Sequence, residues 1–310
     1  MYQNEFAAGE GAGANALDAL AQGSKSLHAR IFGWLGPALS IAMLIAVVRG
    51  ASGLDLRELL RLPTSSGFWI CLVASYLATP ASEWIIYRRL WNIPGEGFVA
   101  LLKKQVSNEL LLGYLGEVQF YLWARKRTEM TGTPFGAVKD VSILSAMAGN
   151  AATVLLLAVG WRYMLTTSIG VELKTLVVSL SVVLISSIVI LFFRRRLFSL
   201  ARPDLVFISG VHFARIAVGL AVMAGAWHLL LPDVPLSWLL LLAMLRMLVS
   251  RLPLLPNKDI VFAAMTVFLL GSSADIGEAT TKIALLTLAF HVVVGAVVFA
   301  ADSDLWKRAR

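Results

Sequence analysis

Long runs of apolar residues recur along this chain, and most are about as long as a membrane-spanning helix. Such a helix needs roughly 20 mainly apolar residues. Eight runs are candidates, the run at Asp259 being short for a crossing: Ile31–Val48, Gly67–Tyr87, Val141–Gly160, Thr175–Phe193, Leu205–Leu231, Leu236–Ser250, Asp259–Ser272 and Ile283–Ala300. Only 15 % of the residues are charged, whereas soluble domains carry about 25 %. The sequence therefore predicts an all-α, polytopic integral membrane helix bundle with these eight runs as transmembrane helices.

Basic residues concentrate at alternate ends of the runs, for example at Arg194–Arg196 and at Lys307–Arg310. Because cytoplasmic loops of membrane proteins are enriched in Lys and Arg, this pattern predicts cytoplasmic termini and the cell inner (cytoplasmic) membrane. Residues 1–30 are then a mostly disordered cytoplasmic tail, residues 31–300 a single transmembrane domain and residues 301–310 a second tail. The net charge of +8 fits contact with anionic lipid headgroups, and no nucleic-acid partner is expected.

The segment 98–124 is apolar but is interrupted by charged residues. Basic pairs and triplets lie at both of its ends, Lys103 with Lys104 and Arg125–Arg127, so both ends are predicted on the same side of the membrane. Gly113 and Gly116 allow a tight reversal between them. We predict a re-entrant hairpin at about 98–124; the alternative is a kinked or amphipathic helix at the interface.

Polar side chains inside the apolar segments are the candidate site. A charge at the bilayer centre costs about 2.5–3.5 kcal/mol on insertion scales, so such residues usually pair or line a pathway. The candidates are Glu83, Asn108, Glu109, Glu117, Asn150, His212, Arg215 and Arg246. For Glu83 the plainer expectation is a side chain that reaches the interface or pairs with Arg88. We expect the arginines to turn inward, where Glu109 and Glu117 can neutralise them. Two readings follow: a buried salt-bridge network that fixes the helices, or a cavity in which arginine binds an anionic headgroup through parallel hydrogen bonds.

A second interrupted segment is predicted at about 251–272. Pro253 and Pro256 break the helix there, and a new helix opens near Asp259. A helix N-terminus at membrane depth is an anion site in principle, and Arg251 joins the headgroup candidates. Interrupted helices in both halves of a chain point to the substrate site in many transporters.

Three groups of residues also carry a family resemblance. They are Arg89-Leu90-Trp91 after the second apolar run, Asn108, Gly113, Gly116, Glu117 and Arg125 in the first interrupted segment, and Leu252, Pro253 and Pro256 in the second. In these the chain resembles the flippase-like transmembrane family of lysylphosphatidylglycerol synthases and their stand-alone relatives. It departs at Asn257–Asp259, where that family has a glycine-rich turn. The resemblance implies lipid handling, the movement of a polar lipid or a lipid-linked intermediate between leaflets.

The leading hypothesis is thus an inner-membrane, flippase-like protein that binds and translocates a polar, anionic phospholipid or lipid-linked saccharide. The alternative is an accessory or scaffold subunit that partners an enzyme of lipid or envelope-glycan synthesis. A membrane-embedded lipid-modifying enzyme is a third reading, which the sequence disfavours because no catalytic constellation is visible. Cys71 is the only cysteine and the histidines lack metal-ligand spacing, so neither a metal nor another cofactor is expected. No Walker-type nucleotide motif is present.

Overall fold

The computed structural model describes residues 56–110, 115–127, 134–166, 198–250, 258–270 and 274–308. Within these ranges every regular element is an α-helix, as the sequence predicts. The helices are α1 (Leu56–Leu60), α2 (Ser66–Trp91), α3 (Glu96–Leu110), α4 (Leu115–Arg127), α5 (Pro134–Thr166), α6 (Arg202–Leu230), α7 (Leu236–Ser250), α8 (Lys258–Leu270) and α9 (Ala274–Arg308). The tail predicted at 301–310 continues α9 as far as Arg308.

Four of these helices are long and apolar enough to cross a membrane. The crossing segments are Ser66–Trp91, Phe135–Val159, Arg202–Leu230 and Asp275–Ala300. The number of eight spans predicted from the sequence is not reached in the described part of the chain. Helices α7 and α8 have only 15 and 13 residues, and at 1.5 Å per residue each is shorter than the roughly 30 Å hydrocarbon core. The predicted spans at 31–48 and 175–193, like the tail 1–30, lie outside the described residues.

The outer surfaces of the long helices carry large apolar side chains. Ile70 on α2 is 68 % exposed, Val206 on α6 is 65 % exposed and Val297 on α9 is 63 % exposed. In water, extended apolar surfaces of this kind would favour aggregation, whereas lipid tails solvate them. Length, composition and surface together mark the chain as a membrane protein.

Helix α2 contains a proline that creates a polar contact in its interior. Pro80 has no N–H group, so the carbonyl of Tyr76, one turn earlier, lacks its helical donor. The side-chain amide of Gln105 on α3 donates to that carbonyl at 3.1 Å. The break in the α2 ladder therefore fixes α3 against the middle of α2.

Helices α3 and α4 pack against each other in opposite directions. Glu96 at the start of α3 lies 3.4 Å from Arg127 at the end of α4, so the open ends of the hairpin meet. Near its closed end, the Gly116 N–H donates to the Asn108 side chain at 2.8 Å. The turn itself, with Gly113, lies outside the described residues. That this segment enters and leaves the membrane on the same side stays a prediction.

Two apolar clusters lie toward opposite ends of the long helices. One joins the start of α2 to the end of α6 through Phe68 and Trp227. The other joins the end of α2 to the hairpin and α5 through Tyr87, Phe120 and Val141. A layer of polar side chains lies between these clusters.

Candidate functional site

The polar layer lines a cavity of about 270 Å³. Its lining includes Thr79, Arg215 and Thr287, which lie near the middle of the crossing segments in α2, α6 and α9. The last turn of α3 and the first turn of α8 reach the same level with Asn108 and Asp259. The two interrupted elements therefore meet at a cavity halfway along the crossing helices.

Arg215 is the cation in the middle of the cavity. Its Nη1 donates to the Thr79 hydroxyl at 3.2 Å and its Nη2 donates to the Ser145 hydroxyl at 3.1 Å. Its Nε has no hydrogen-bond partner, and no carboxylate among the described residues forms an ion pair with it. Neutral hydroxyls orient the guanidinium without cancelling its charge, so its attraction for an anion is retained.

Lys104 organises one side of the cavity. Its Nζ lies 2.6 Å from Glu83 on α2 and 3.5 Å from Glu117 on α4. The second carboxylate oxygen of Glu117 has no hydrogen-bond partner among the described residues. One ammonium thus links three helices, and one acceptor oxygen of Glu117 remains for a further donor.

The opposite side joins α3, α7 and α8. Arg246 donates to Asp259 through Nε at 3.1 Å, and its Nη2 lies 3.0 Å from the same oxygen. Glu109 accepts a hydrogen bond from the backbone N–H of Lys258, the first residue of α8, and lies within electrostatic range of Asp259 and of the Lys258 and Arg246 cations. The helix N-terminus that the sequence offers as an anion site is therefore in contact with a carboxylate of the protein itself.

Tyr76 and His291 add a buried neutral pair to the lining. The Tyr76 hydroxyl lies 3.2 Å from Nδ1 of His291. Close by, the carbonyl oxygen of the Gln105 side chain and the hydroxyl of Thr287 have no partner among the described residues. Unpartnered donors and acceptors of this kind indicate a site that holds water or a polar ligand.

Six of the residues singled out in the sequence line this one cavity: Glu83, Asn108, Glu109, Glu117, Arg215 and Arg246. The structure places His212 elsewhere. It is fully buried with Nε2 3.2 Å from the Val141 carbonyl, and it is absent from the cavity lining. Asn150 is likewise absent from the lining. Gly116 lies within the hairpin contact. The remaining candidates, Gly113, Arg251, Pro253 and Pro256, lie outside the described residues.

The expected ion pairs differ from those in the structure. Glu117 pairs with Lys104 rather than with an arginine, and the direct partner of Arg246 is Asp259 rather than Glu109. Assigning Lys104 to a basic flank at the membrane surface is also wrong, because the residue is only 4 % exposed. The reason is local: Lys104 lies on α3 facing Glu117 on α4 and comes within 3.5 Å of it, whereas neither arginine comes within ion-pair distance.

Sequence reasoning did not assign several residues of the lining to the site. They are Tyr76, Thr79, Lys104, Gln105, Ser145, Asp259, Thr287 and His291. Glu83, which the sequence predicts at the interface or beside Arg88, lines the cavity and pairs with Lys104. One signal was available for Lys104, which precedes Asn108 by four residues and therefore shares its helix face. The hydroxyl residues gave no signal, since Thr and Ser are ordinary in apolar helices.

The described residues contain no group of three or more His, Cys, Asp or Glu side chains able to hold a metal ion. What they define is an integral membrane helix bundle with a charged cavity at mid-depth. Comparison with protein-family models, with curated proteins and with solved structures returned no match for this chain.

Proposed function

We propose that this chain is an inner-membrane, flippase-like protein that binds the polar headgroup of an anionic lipid in the mid-depth cavity and moves it between leaflets. Arg215 is the observation that carries the proposal. The Arg215 guanidinium hydrogen-bonds two hydroxyls and has Glu83 within electrostatic range but not in an ion pair. It can therefore donate to a phosphate, and arginine is well suited to that group.

The position of the cavity supports transport rather than surface binding. Transporters commonly place their substrate site near the bilayer midplane, where interrupted helices meet. Here the ends of α3 and α8 meet beside Arg215, which lies near the middle of α6. A headgroup that reaches this level has travelled about half the membrane thickness, while its acyl chains can stay among the apolar outer faces.

The size of the cavity supports the binding of a headgroup rather than a whole lipid. Pockets for drug-sized ligands occupy roughly 300–1,000 Å³, and this cavity of about 270 Å³ lies just below that range. Its lining combines charged, amide and hydroxyl groups, which suits a solvated polar group. The resemblance of the interrupted segments to a flippase-like family is in keeping with this assignment, and both termini are assigned to the cytoplasm.

A scaffold subunit of a lipid- or envelope-synthesis complex is the second candidate. The contacts of Lys104 with Glu83 and Glu117 and of Arg246 with Asp259 favour it, because such networks can serve only to fix helix positions. The two functions differ at Arg215, which a purely structural network would have neutralised with a carboxylate.

Reconstitution into liposomes tests the proposal. The liposomes would contain fluorescently labelled phosphatidylglycerol, phosphatidylethanolamine or a neutral glycolipid. Dithionite reduces only the label in the outer leaflet, so the loss of fluorescence measures how fast each lipid reaches that leaflet. We expect transbilayer movement of the anionic lipid above that in empty liposomes. Arg215→Ala should lower its rate roughly tenfold or more, because charge-assisted hydrogen bonds contribute about 1.5–3 kcal/mol each.

Arg89→Ala is the matched control, since Arg89 is a half-exposed arginine paired with Asp204 away from the cavity. Its rate should match that of the unsubstituted protein. Movement equal to that in empty liposomes for every lipid would contradict transport. Equal rates for the Arg215 and Arg89 variants would be compatible with transport but would show that Arg215 does not take part in it.

A further inference from the structure

Glu109 differs from the other carboxylates of the cavity. Glu83 and Glu117 contact Lys104, and Asp259 contacts Arg246, but Glu109 has no direct ion pair within the described residues. It accepts a hydrogen bond from the backbone N–H of Lys258, and the cations of Lys258 and Arg246 lie within its electrostatic range without forming an ion pair with it. A carboxylate in a membrane interior without its own counter-ion is the kind of group that binds and releases protons in transporters.

The charges that line the cavity do not balance. Its lining has four carboxylates, from Glu83, Glu109, Glu117 and Asp259, and three cations, from Lys104, Arg215 and Arg246, which sum to −1 with His291 neutral. The ammonium group of Lys258 is outside this lining and donates to the Ser250 carbonyl at 2.9 Å, but it lies within electrostatic range of Glu109 and offsets one carboxylate. An anionic headgroup at Arg215 would then leave one uncompensated negative charge, and such a charge is costly where the dielectric constant is low.

Helices around Glu109 present both signs of charge. The charged and titratable groups on the elements packed about it are Tyr76 and Glu83 on α2, Lys104 on α3 itself, Glu117 on α4, Arg246 on α7, Lys258 and Asp259 on α8, and His291 on α9. Arg246 already bonds Asp259, so the cations near Glu109, Arg246 and Lys258, act on it from a distance rather than through an ion pair. Glu109 therefore makes fewer charge-assisted contacts than Asp259 does.

We infer that Glu109 takes up a proton together with the anionic headgroup, so that lipid and proton occupy the cavity at the same time. This inference rests on the proposed function and adds its energetic coupling. Hydronium gives its proton to the Glu109 carboxylate and leaves as water, and the reverse step occurs on release. The proton offsets the charge that the headgroup brings to Arg215.

Protonation would also act on the contact between the two interrupted elements. A carboxylate accepts a hydrogen bond from the Lys258 N–H more strongly than a neutral carboxylic acid does. Proton uptake therefore weakens the link between the end of α3 and the start of α8. Lipid binding at Arg215 and loosening of that link are thereby coupled through one residue.

Binding of a short-chain phosphatidylglycerol to the full chain in detergent tests the coupling. We expect its Kd to fall as the pH is lowered, by at most about tenfold per pH unit for one linked proton. Glu109→Gln should bind the lipid with little dependence on pH, because the amide imitates the protonated acid. The matched control is Glu96→Gln, which alters an exposed residue at the other end of α3 and should keep the pH dependence.

A second measurement uses the unsubstituted protein alone. Calorimetry in buffers of different ionisation enthalpy should show uptake of one proton per lipid bound, since coupling between two ligands is reciprocal. Binding with no proton uptake, or equal pH dependence in the Glu109 and Glu96 variants, would overturn the proton inference and leave lipid binding intact. Loss of pH dependence in His291→Asn but not in Glu109→Gln would overturn it as well. No lipid binding at any pH by folded protein would overturn the proposed function itself.

Discussion

Lys104 is the buried cation on which one side of the cavity depends. Only 5 % of its side chain is exposed, and it contacts two carboxylates that come from different helices. The desolvation of such an ammonium group is costly unless its partners remain in place. Its contribution is therefore to hold Glu83 and Glu117 close together while leaving one oxygen of Glu117 without a partner.

Removal of this cation should destabilise the protein strongly. Lys104→Met leaves two buried carboxylates without their counter-ion, and breaking a buried pair from one side typically costs about 3–5 kcal/mol. Thermal unfolding in detergent should show a clear loss for this variant. The neighbouring Lys103→Met, at a half-buried side chain next to Phe299, should change stability far less.

The double variant Lys104→Met with Glu83→Gln separates the charge effect from the loss of packing. If the unpaired carboxylate causes the destabilisation, neutralising Glu83 should restore part of the lost stability. Similar stability of the Lys104→Met and Lys103→Met proteins would refute the role assigned to Lys104.

At the scale of elements, close backbone contact holds the α3–α4 hairpin together. A Cβ atom on Gly116 would collide with the Lys104 carbonyl and the Asn108 side chain. The Asn108 side-chain oxygen accepts a hydrogen bond from the Gly116 N–H, and the Ser107 hydroxyl donates to the Gln119 side-chain oxygen at 2.7 Å. The hairpin thus places Lys104, Asn108 and Glu117 on one side, facing the cavity.

Gly116→Ala should therefore disrupt both the hairpin and the site. The obstructing atom is backbone, which cannot rotate away, and overpacking of this kind typically costs about 1–3 kcal/mol. Lower unfolding temperature and weaker lipid binding should appear together. Gly210→Ala on α6 is the control, because a Cβ atom there meets nothing within 4 Å; equal behaviour of both variants would contradict the close contact.

For the molecule as a whole, some of this arrangement is predictable from the sequence and some is not. Charges such as Arg215 and Arg246 are visible because they interrupt apolar runs. The glycines and flanking basic residues predict a hairpin, although one of those basic residues, Lys104, lies in the cavity. The partner of Glu117 is not visible, because Lys104 next to Lys103 reads as a basic flank. Pairing between residues distant in the chain depends on helix packing, about which periodicity says nothing.

The number of crossings is hard to predict for a related reason. Helices α7 and α8 are as apolar as the longer helices, but with 15 and 13 residues they are about 22 and 20 Å long, shorter than the roughly 30 Å hydrocarbon core. Hydropathy reports the surroundings of a helix, not whether the helix crosses. The position of Arg246 and Asp259 in the mid-depth cavity places the adjoining ends of these helices inside the protein.

The orientation of the bundle can be tested by the side from which single cysteines react. Arg89 lies 3.2 Å from Asp204, and Glu96 contacts Arg127, so the end of α2, the start of α6 and the open end of the hairpin share one face. Asp233 is exposed just beyond the other end of α6.

In a Cys71→Ala background, a membrane-impermeant maleimide should reach cysteine substituted at Glu96 or Arg127 from the cytoplasmic side only. Cysteine substituted at Asp233 should react from the opposite side only. Labelling of the Glu96 and Arg127 positions from opposite sides would show that the hairpin segment crosses the membrane, and the re-entrant arrangement would fall.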